Sequence, residues 1–581
     1  MKYSQLLYWA LLFAILAVFL QITNAFHFFY IEQFQLFLFS KGYVADQLAY
    51  PGGLALLIGE FCVQFFIQPY VGAITTAFLL ISVGLLVRML LKKITPTKLF
   101  GLYLLPPLAL LLIHFHFNYL FQGTIAYILL LLFLNLYVRI SSFYYRLPIG
   151  LLSIPSLFWA GGPISGLFAL CLIIWETLQR TNRGYLSVLF AIKYLAIVFV
   201  CYHLAVVRDY TFAFLPDAYF SPVLQPPFAI YHSWIFLPAI MGVAFLLRKY
   251  SSETKKTTLF SVAAQILIIA GFSFWLIPKY DDPGSNRLKE LDYYTRIQDW
   301  DKIISTSNGP MNSYLYLGYL NMALAEKNEL ADRMFFFDQH GLEGLALTWD
   351  QTIVTTNLLS NVYFTLGEVA LAQRMAFEAN EVVLGHGNPH NLKRLVQTNL
   401  IYGEYLVAEK YIRLLERTFG YRDWAKEHRR FLHNDAAVEK DPLLGSKQKT
   451  IPEKTTLTGL ESTPSLLQSR VDEGLYDNQL LQQLGAVYLL TKDIASFRQL
   501  IETYYGTPAL SALPRSFQEA VILLEDRNPD YWVRFNVSQT VISQYSGYSQ
   551  MILQNRNNLQ ALPELLKPTY GNSYWYYYIY K

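Results

Sequence analysis

Cysteine and charged side chains are scarce in this chain of 581 residues, of which only 15% are Asp, Glu, Lys or Arg. The three cysteines, Cys62, Cys171 and Cys201, lie in hydrophobic segments, which excludes a disulfide framework and a CxxC metal site. The formal net charge is +4 and no dense Lys/Arg block occurs, so the sequence does not support a nucleic-acid partner. Hydrolase, zinc-protease and nucleotide-binding motifs such as GxSxG, HExxH and the P-loop are also missing, which removes the usual support for those activities.

Hydrophobic residues are abundant, at 54% of the chain, and the mean hydropathy of +0.28 is too high for a soluble protein. They concentrate in residues 1–278, whereas the remainder has the composition of a soluble chain. We therefore predict an all-α protein in which residues 1–278 form a polytopic membrane domain of about nine spans. The predicted spans cover residues 7–25, 70–91, 98–117, 120–139, 147–160, 163–178, 185–206, 232–247 and 258–277.

Lys and Arg are distributed unevenly over the connections between these spans. Thirteen fall on one side, namely Lys2, Arg88, Lys92, Lys93, Lys98, Arg139, Arg146, Arg180, Arg183, Arg248, Lys249, Lys255 and Lys256. Only Lys41, Arg208 and Lys279 fall on the other side. Because positive loops stay cytoplasmic, we predict a bacterial inner-membrane protein with a cytoplasmic N-terminus, a retained first anchor helix and a periplasmic C-terminal half.

The connection between the first two predicted spans is long and aromatic. Residues 28–39 carry Glu32, and residues 52–68 form an amphipathic stretch with Glu60 on its polar stripe. We predict two interfacial helices here, neither of which crosses the bilayer.

The C-terminal half shows internal similarity at the spacing of helical repeats. The Gly367-Glu368 and Gly403-Glu404 pairs are 36 residues apart, as are Ala372 and Ala408. This resembles the tetratricopeptide pattern, in which a small residue closes the turn between two helices and Ala permits their close approach. We predict an extracytoplasmic α-solenoid of helix pairs over residues 279–438 and 464–581, with an aromatic tail at the end and a solvated linker over residues 439–463.

The arrangement as a whole resembles the C-type (GT-C) membrane glycosyltransferases. The resemblance rests on a cytoplasmic start, a large first outer loop with Glu32 just past the first helix, two juxtamembrane helices and a later outer domain. It implies a polyprenyl-phosphate-linked sugar donor and an acidic residue of the first outer loop that serves as catalytic base or supports a metal. The Asp-Asp or Asp-Glu pair of that superfamily is not present, so a divalent metal is not required by the sequence. The stretch YIEQFQLFLFSKGYVADQLAYPGG and the tail TYGNSYWYYYIYK also look like an uncharacterised bacterial envelope family.

Five polar residues on the predicted outer side are candidates for the chemistry. Glu32 is the preferred catalytic base and Asp46 the second choice, although Glu32 also fits a solvated interfacial acid and Asp46 a turn residue. Arg208 suits a lipid phosphate because a guanidinium binds oxyanions in a fork, and its alternative is ordinary snorkelling at a helix end. His232 and Lys279 are candidates to assist in substrate binding.

Three functions agree with these features. A glycosyltransferase explains the elaborate first outer loop and an outer domain that binds a protein or glycan acceptor. A membrane scaffold for envelope assembly explains the repeats equally well, because such arrays present concave surfaces to partners. A transporter is the third, but the membrane half shows no pair of similar halves.

Overall fold

The computed structural model describes residues 2–95, 101–179, 184–207, 209–221, 224–248, 255–381, 387–451 and 463–581. All regular elements in these ranges are helical, and one isolated bridge pairs Tyr119 with Phe220. The prediction of an all-α protein is therefore confirmed for the described part of the chain. The chain divides into unit 1, which comprises Met1–Lys289, Leu384–Pro389 and Arg413–Ala425, and unit 2, which comprises Glu290–Val383, His390–Ile412 and Lys426–Lys581.

The helices up to residue 296 provide the framework of unit 1. They are α1 Lys2–Glu32, α2 Lys41–Leu48, α3 Gly53–Val63, α4 Val71–Ile94, α5 Leu105–Ile113, α6 Gln122–Tyr137, α7 Phe143–Gly161, α8 Ile164–Leu178, α9 Val188–His203, α10 Thr211–Phe214, α11 Ala229–Leu247, α12 Lys255–Gly271, α13 Ile277–Tyr280 and α14 Pro283–Arg296. Leu, Ile, Phe and Ala side chains of these helices form one continuous core in unit 1.

Five helices of the described chain are long and apolar enough to cross a membrane. They cover Gln5–Glu32, Val71–Ile94, Tyr185–His203, Ala229–Leu247 and Phe260–Tyr280. The last of these joins α12 to α13 through a π-helical turn at Phe272–Leu276. The other four predicted spans coincide with α5, α6 and α8, which are shorter, and with α7, which contains Pro148 and Pro155.

The segment between the first two predicted spans differs from its prediction in several respects. Residues 28–39 do not form a separate helix, because α1 continues without Gly or Pro as far as Glu32 and only changes direction at Asn24, whose φ and ψ are −125° and 17°. The first short helix after α1 is instead α2, so Asp46 lies in a helix and not in a turn. Helix α3 agrees with the amphipathic stretch, but Glu60 is buried and accepts a hydrogen bond from the Tyr43 hydroxyl, so it does not face water.

Arg146, which the charge pattern places in a loop, is a buried residue of α7. Its guanidinium lies against the Glu176 carboxylate of α8, at 2.8 Å from Nε to Oε1 and 3.0 Å from Nη2 to Oε2. Tyr137 of α6 donates a further hydrogen bond to Glu176 Oε1 at 3.0 Å. The loop prediction for Arg146 is wrong because a cation can be buried where a carboxylate and carbonyl groups match its donors.

Unit 2 is built from the remaining helices of the chain. They are α15 Trp300–Thr306, α16 Tyr314–Glu326, α17 Leu330–Arg333, α18 Ile353–Leu366, α19 Val369–Glu381, α20 Pro389–Ile401, α21 Tyr405–Leu415, α22 Arg422–His428, α23 Asp435–Lys440, α24 Leu444–Gln448, α25 Thr463–Asp472, α26 Asn478–Leu490, α27 Ile494–Tyr504, α28 Arg515–Leu524, α29 Pro529–Arg534, α30 Gln539–Gln554, α31 Leu562–Tyr570 and α32 Tyr574–Tyr580. The unit bounds fall inside four helices: residues 290–296 of α14 belong to unit 2, whereas residue 389 of α20, residues 413–415 of α21 and residues 422–425 of α22 belong to unit 1.

The two Gly-Glu pairs close equivalent turns between consecutive helices. Gly367 and Gly403 have φ values of 81° and 73°, and the amides of Glu368 and Glu404 each donate to the carbonyl five residues earlier at 2.8 Å. This is the Schellman geometry, in which a glycine adopts the left-handed conformation that other residues avoid. Ala372 and Ala408 are fully buried, as expected for close helix approach.

Alanine substitutions at the two turn glycines are expected to differ in cost. At Gly403 a Cβ meets nothing within 4 Å, so the left-handed backbone alone costs about 1–2 kcal/mol. At Gly367 a Cβ would also lie 2.9 Å from Thr450 Oγ1 and 3.1 Å from the Arg470 guanidinium, which adds about 1–3 kcal/mol of overpacking. Denaturant unfolding of the full-length protein, followed by tryptophan fluorescence, measures both changes. Equal destabilisation by the two variants would contradict this packing.

The predicted linker over residues 439–463 is only partly described. Residues 439–451 contain helix α24, whose Leu444 is buried. Lys447 Nζ and Thr450 Oγ1 donate hydrogen bonds of 2.9 Å to the carbonyls of Thr365 and Gly367. This part of the segment therefore packs on the helix pair of α18 and α19, and residues 452–462 lie outside the described residues.

Candidate functional site

A cluster of buried polar side chains surrounds the C-terminal part of α1 in unit 1. Asn24, His27, His114 and Lys289 are each no more than 3% exposed. They come from the last turns of α1, the end of α5 and helix α14. Buried polar groups are costly unless they are paired, so a cluster of this kind is a candidate binding site. We call these four residues the polar cluster.

Lys289 is at the centre of the polar cluster. Its ammonium Nζ donates to His27 Nδ1 at 3.1 Å and to Asn286 Oδ1 at 3.1 Å, and it lies 5.5 Å from the centre of the Phe117 ring. Because Lys289 can only donate, Nδ1 of His27 is an acceptor, and this nitrogen carries no proton. Asn286 in turn donates to Asp281 Oδ1 at 2.6 Å, which connects the cluster to an acidic residue.

Burial determines the electrostatics of Lys289. Loss of solvent lowers the pKa of this ammonium to about 8, while the nearby charges of Asp281 and Asp282 act in the opposite direction. Lys289 therefore remains mostly charged at neutral pH, and its ammonium donates to the ring nitrogen of His27 and the amide oxygen of Asn286. A buried cation of this kind is well suited to an incoming anion.

Two histidines follow α5 and face different neighbours, as expected for residues two positions apart. His114 Nε2 is 2.8 Å from Thr124 Oγ1, and the His116 ring stacks on Phe117 at 5.7 Å. Both lie within electrostatic reach of His27. In the described part of the chain, no group of three or more His, Cys, Asp or Glu side chains is arranged to hold a metal ion.

An apolar groove of about 190 Å³ lies beside α1, along the part of this helix from Trp9 to Phe19. Its lining comes from Trp9, Leu12, Ile15, Leu16, Phe19, Leu80, Ile81, Gly84, Leu104, Pro107, Leu108, Leu111, Ile269, Ser273 and Ile277. The Phe19 ring contacts Phe115 at 6.3 Å between ring centres, and Phe115 lies between the two histidines in sequence. His27 is eight residues beyond Phe19, or about 12 Å along a helix. The groove and the binding partner of the buried Lys289 ammonium, His27, therefore belong to the same helix α1.

Glu32, the preferred base, lies at the end of α1 and is 3% exposed. Its Oε2 accepts hydrogen bonds from the Tyr421 hydroxyl at 2.7 Å and from Gln33 Nε2 at 2.5 Å. Tyr421 belongs to the Arg413–Ala425 segment of unit 1, whose Arg417 carbonyl also accepts from the Phe39 amide at 2.7 Å. The carboxylate therefore already binds a hydroxyl group, although that hydroxyl belongs to the protein.

The other predicted residues that the structure describes are Asp46, His232 and Lys279. Asp46 is exposed on α2, whereas Glu32 is buried. His232 and Lys279 are brought together by Tyr280, whose ring is 6.4 Å from the His232 ring and 6.0 Å from Lys279 Nζ. Arg208 lies outside the described residues.

Lys289 and Asp281 are absent from the set predicted from sequence. Both belong to the stretch DDPGSNRLKE, which directly follows the last predicted span and therefore reads as the start of the outer domain. The signal that could have found them is the concentration of charge immediately after an apolar helix. The partner of Lys289, His27, is 262 residues away in the sequence, and no local pattern reports that contact.

Comparison with known proteins gives one match. A family model described as "Family of unknown function (DUF6057)" matches residues 1–581. The chain belongs to this family. No curated protein and no solved structure matches it. The DUF6057 match extends over both units, so one family includes both the apolar helices and the helix pairs.

Proposed function

We propose that this protein is a membrane glycosyltransferase, which moves a sugar or glycan from a polyprenyl-phosphate donor to an envelope acceptor on the outer face of the inner membrane. The observation that carries the proposal is the buried ammonium of Lys289, which binds His27 of the same helix α1 that lines the apolar groove. A lipid phosphate has the matching chemistry, because its prenyl chain is apolar and its phosphate is an anion. The five long apolar helices support a location in a membrane.

The proposed reaction needs charge stabilisation at the departing phosphate. As the acceptor oxygen attacks the anomeric carbon, the bond from that carbon to the phosphate oxygen breaks, and negative charge collects on the polyprenyl phosphate. A preformed cation in a site without water stabilises that charge strongly. Lys289 fulfils this role in the proposal, and Arg208, His232 and Lys279 remain candidates for further contacts with the donor.

The acceptor hydroxyl must also lose its proton, and Glu32 is the proposed base. Its hydrogen bond from the Tyr421 hydroxyl has the geometry that an acceptor hydroxyl would need. In the proposal the acceptor replaces Tyr421, gives its proton to Glu32 and becomes the nucleophile. Asp46, which is exposed on α2, is the second choice for the base.

Glu32→Gln is expected to reduce transfer by about 10²- to 10⁴-fold, because the amide keeps the shape of the side chain but cannot take a proton. The measurement is glycan profiling of envelope proteins and surface polysaccharides in a deletion strain that carries each variant. Glu427→Gln is the matched control, since that carboxylate is 59% exposed and lies outside the proposed site. Unchanged glycans in the deletion strain itself would contradict the enzymatic proposal.

A second candidate function is a membrane scaffold for envelope assembly. The equivalent turns at Gly367 and Gly403 favour it, because repeated helix pairs commonly present binding surfaces to protein partners. The same deletion strain separates the two proposals. A scaffold predicts unchanged glycan structures, loss of a partner from the membrane fraction and full complementation by Glu32→Gln.

A further inference from the structure

Unit 2 contains a second cavity, of about 400 Å³, which the proposed transfer reaction does not use. Three segments line it: residues 307–310, residues 335–339 and the aromatic C-terminal segment from Lys567 to Lys581. The volume is within the range of about 300–1,000 Å³ that is typical of small-molecule sites. We call this cavity the tail groove.

The aromatic tail gives the tail groove a rigid wall. Tyr577 of α32 is buried, donates to the Leu490 carbonyl at 2.9 Å and packs its ring on Phe335 at 4.9 Å. Trp575 is fully buried and donates to the Glu519 carbonyl at 2.8 Å. Because hydrogen bonds and packing fix these side chains, the wall of the groove is formed before a ligand binds.

The rim of the tail groove combines an exposed aromatic ring with neutral polar groups. Phe336 is 43% exposed, and the Arg515 guanidinium lies 4.8 Å from its ring centre. The amides of Asn308 and Asn572 are exposed on two other sides of the groove. Exposed aromatic rings next to amides provide an apolar surface together with donors and acceptors.

The carboxylate in the tail groove, Asp338, is paired with basic groups. Asp338 accepts from Lys581 Nζ, from His340 Nε2 at 3.1 Å and from the Met311 amide at 3.4 Å. Burial alone would favour the neutral acid, but these donors, with Lys581 foremost, lower the pKa of Asp338. The carboxylate is therefore ionised and paired, and it retains lone pairs for a further hydroxyl donor.

We propose that the tail groove binds a saccharide with equatorial hydroxyl groups. Such a sugar presents flat C–H faces to aromatic rings, and its hydroxyls both donate and accept around the edge. A nucleotide would need several cations for its phosphates, whereas Lys581 is paired with Asp338 and Lys567 is the one further cation among the residues that line the groove. A lipid tail would offer no hydrogen bonds to the exposed amides of Asn308 and Asn572. This binding does not depend on the transferase activity proposed above.

The test is isothermal titration calorimetry on the full-length protein in a detergent without a sugar headgroup. The probes are cellotetraose and chitotetraose, whose β-1,4-linked rings are flat, and maltotetraose, whose α-linked chain is curved. We expect saturable binding of at least one flat sugar, weakened about tenfold by Phe336→Ala and by Asn572→Ala. Phe377→Ala is the control, because this phenylalanine of α19 is 48% exposed and lies outside the groove.

Two results would overturn the inference. One is the absence of saturable heat with all three sugars for the wild-type protein. The other is an affinity in Phe336→Ala and Asn572→Ala equal to that of the wild type or of Phe377→Ala. Lipid-phosphate binding is measured on the same preparations and separates this inference from the proposed function. If the two sites are independent, a variant that loses saccharide binding keeps lipid-phosphate binding, and the reverse also holds.

Discussion

Replacement of Lys289 by methionine is expected to weaken the binding of a lipid phosphate by about 10²-fold, because the only buried ammonium of the polar cluster is lost. Methionine keeps the length of the side chain and suits the ring of Phe117, on which Lys289 packs. The affinity is measured with undecaprenyl phosphate added to the purified full-length protein in detergent. Lys41→Met provides the control, since Lys41 is an exposed cation at the start of α2.

The binding of a lipid phosphate at Lys289 is also expected to depend on pH, and the pKa of Lys289 gives the direction. The lowered pKa of Lys289, about 8, means that the ammonium is charged below that pH and neutral above it. Binding of the phosphate is therefore expected to be strong at pH 6–7 and to weaken as the pH rises through about 8. A bound anion raises the pKa of Lys289, so the loss of binding moves to a somewhat higher pH. In Lys289→Met the dependence in this range should disappear. A methionine variant that binds as tightly as the wild type and retains the same pH profile would exclude Lys289 from the site.

Removal of one partner of the Arg146–Glu176 pair is expected to produce the largest loss of stability, about 3–5 kcal/mol. Glu176 is fully buried, and its two oxygens accept from Arg146 and Tyr137. Glu176→Ala would leave the guanidinium buried without its counter-ion, which costs more than the pair itself contributes. Thermal unfolding of the full-length protein in detergent measures the effect as a lower Tm.

Two further variants make the ion-pair prediction specific. Arg146→Met combined with Glu176→Leu removes both charges and should recover much of the lost stability, because no unpaired charge remains. Arg139→Met should change the Tm little, since Arg139 is exposed just after the end of α6. If Glu176→Ala unfolds at the temperature of Arg139→Met, the pair does not stabilise the fold.

The features that sequence reasoning found are those with a local signal. The run of apolar residues in α1 and α4 predicts long helices because each turn of a helix is formed by residues within four positions of each other. The turns at Gly367 and Gly403 are visible for the same reason, since a glycine at the end of a helical pattern suffices to predict a left-handed C-cap. The prediction of a loop position for Arg146 is wrong because the charge pattern shows this cation but not Glu176, its buried partner.

The candidate site depends on contacts that no local pattern contains. Lys289 meets His27 across 262 residues, and Tyr421 donates to Glu32 across 389 residues. By itself the sequence determined the all-helical class, the apolar first half and the turns at Gly367 and Gly403, because periodicity and turn chemistry act over a few residues. Only the tertiary structure decided which polar side chains are buried together, because the burial of a charge depends on what the distant parts of the chain place around it.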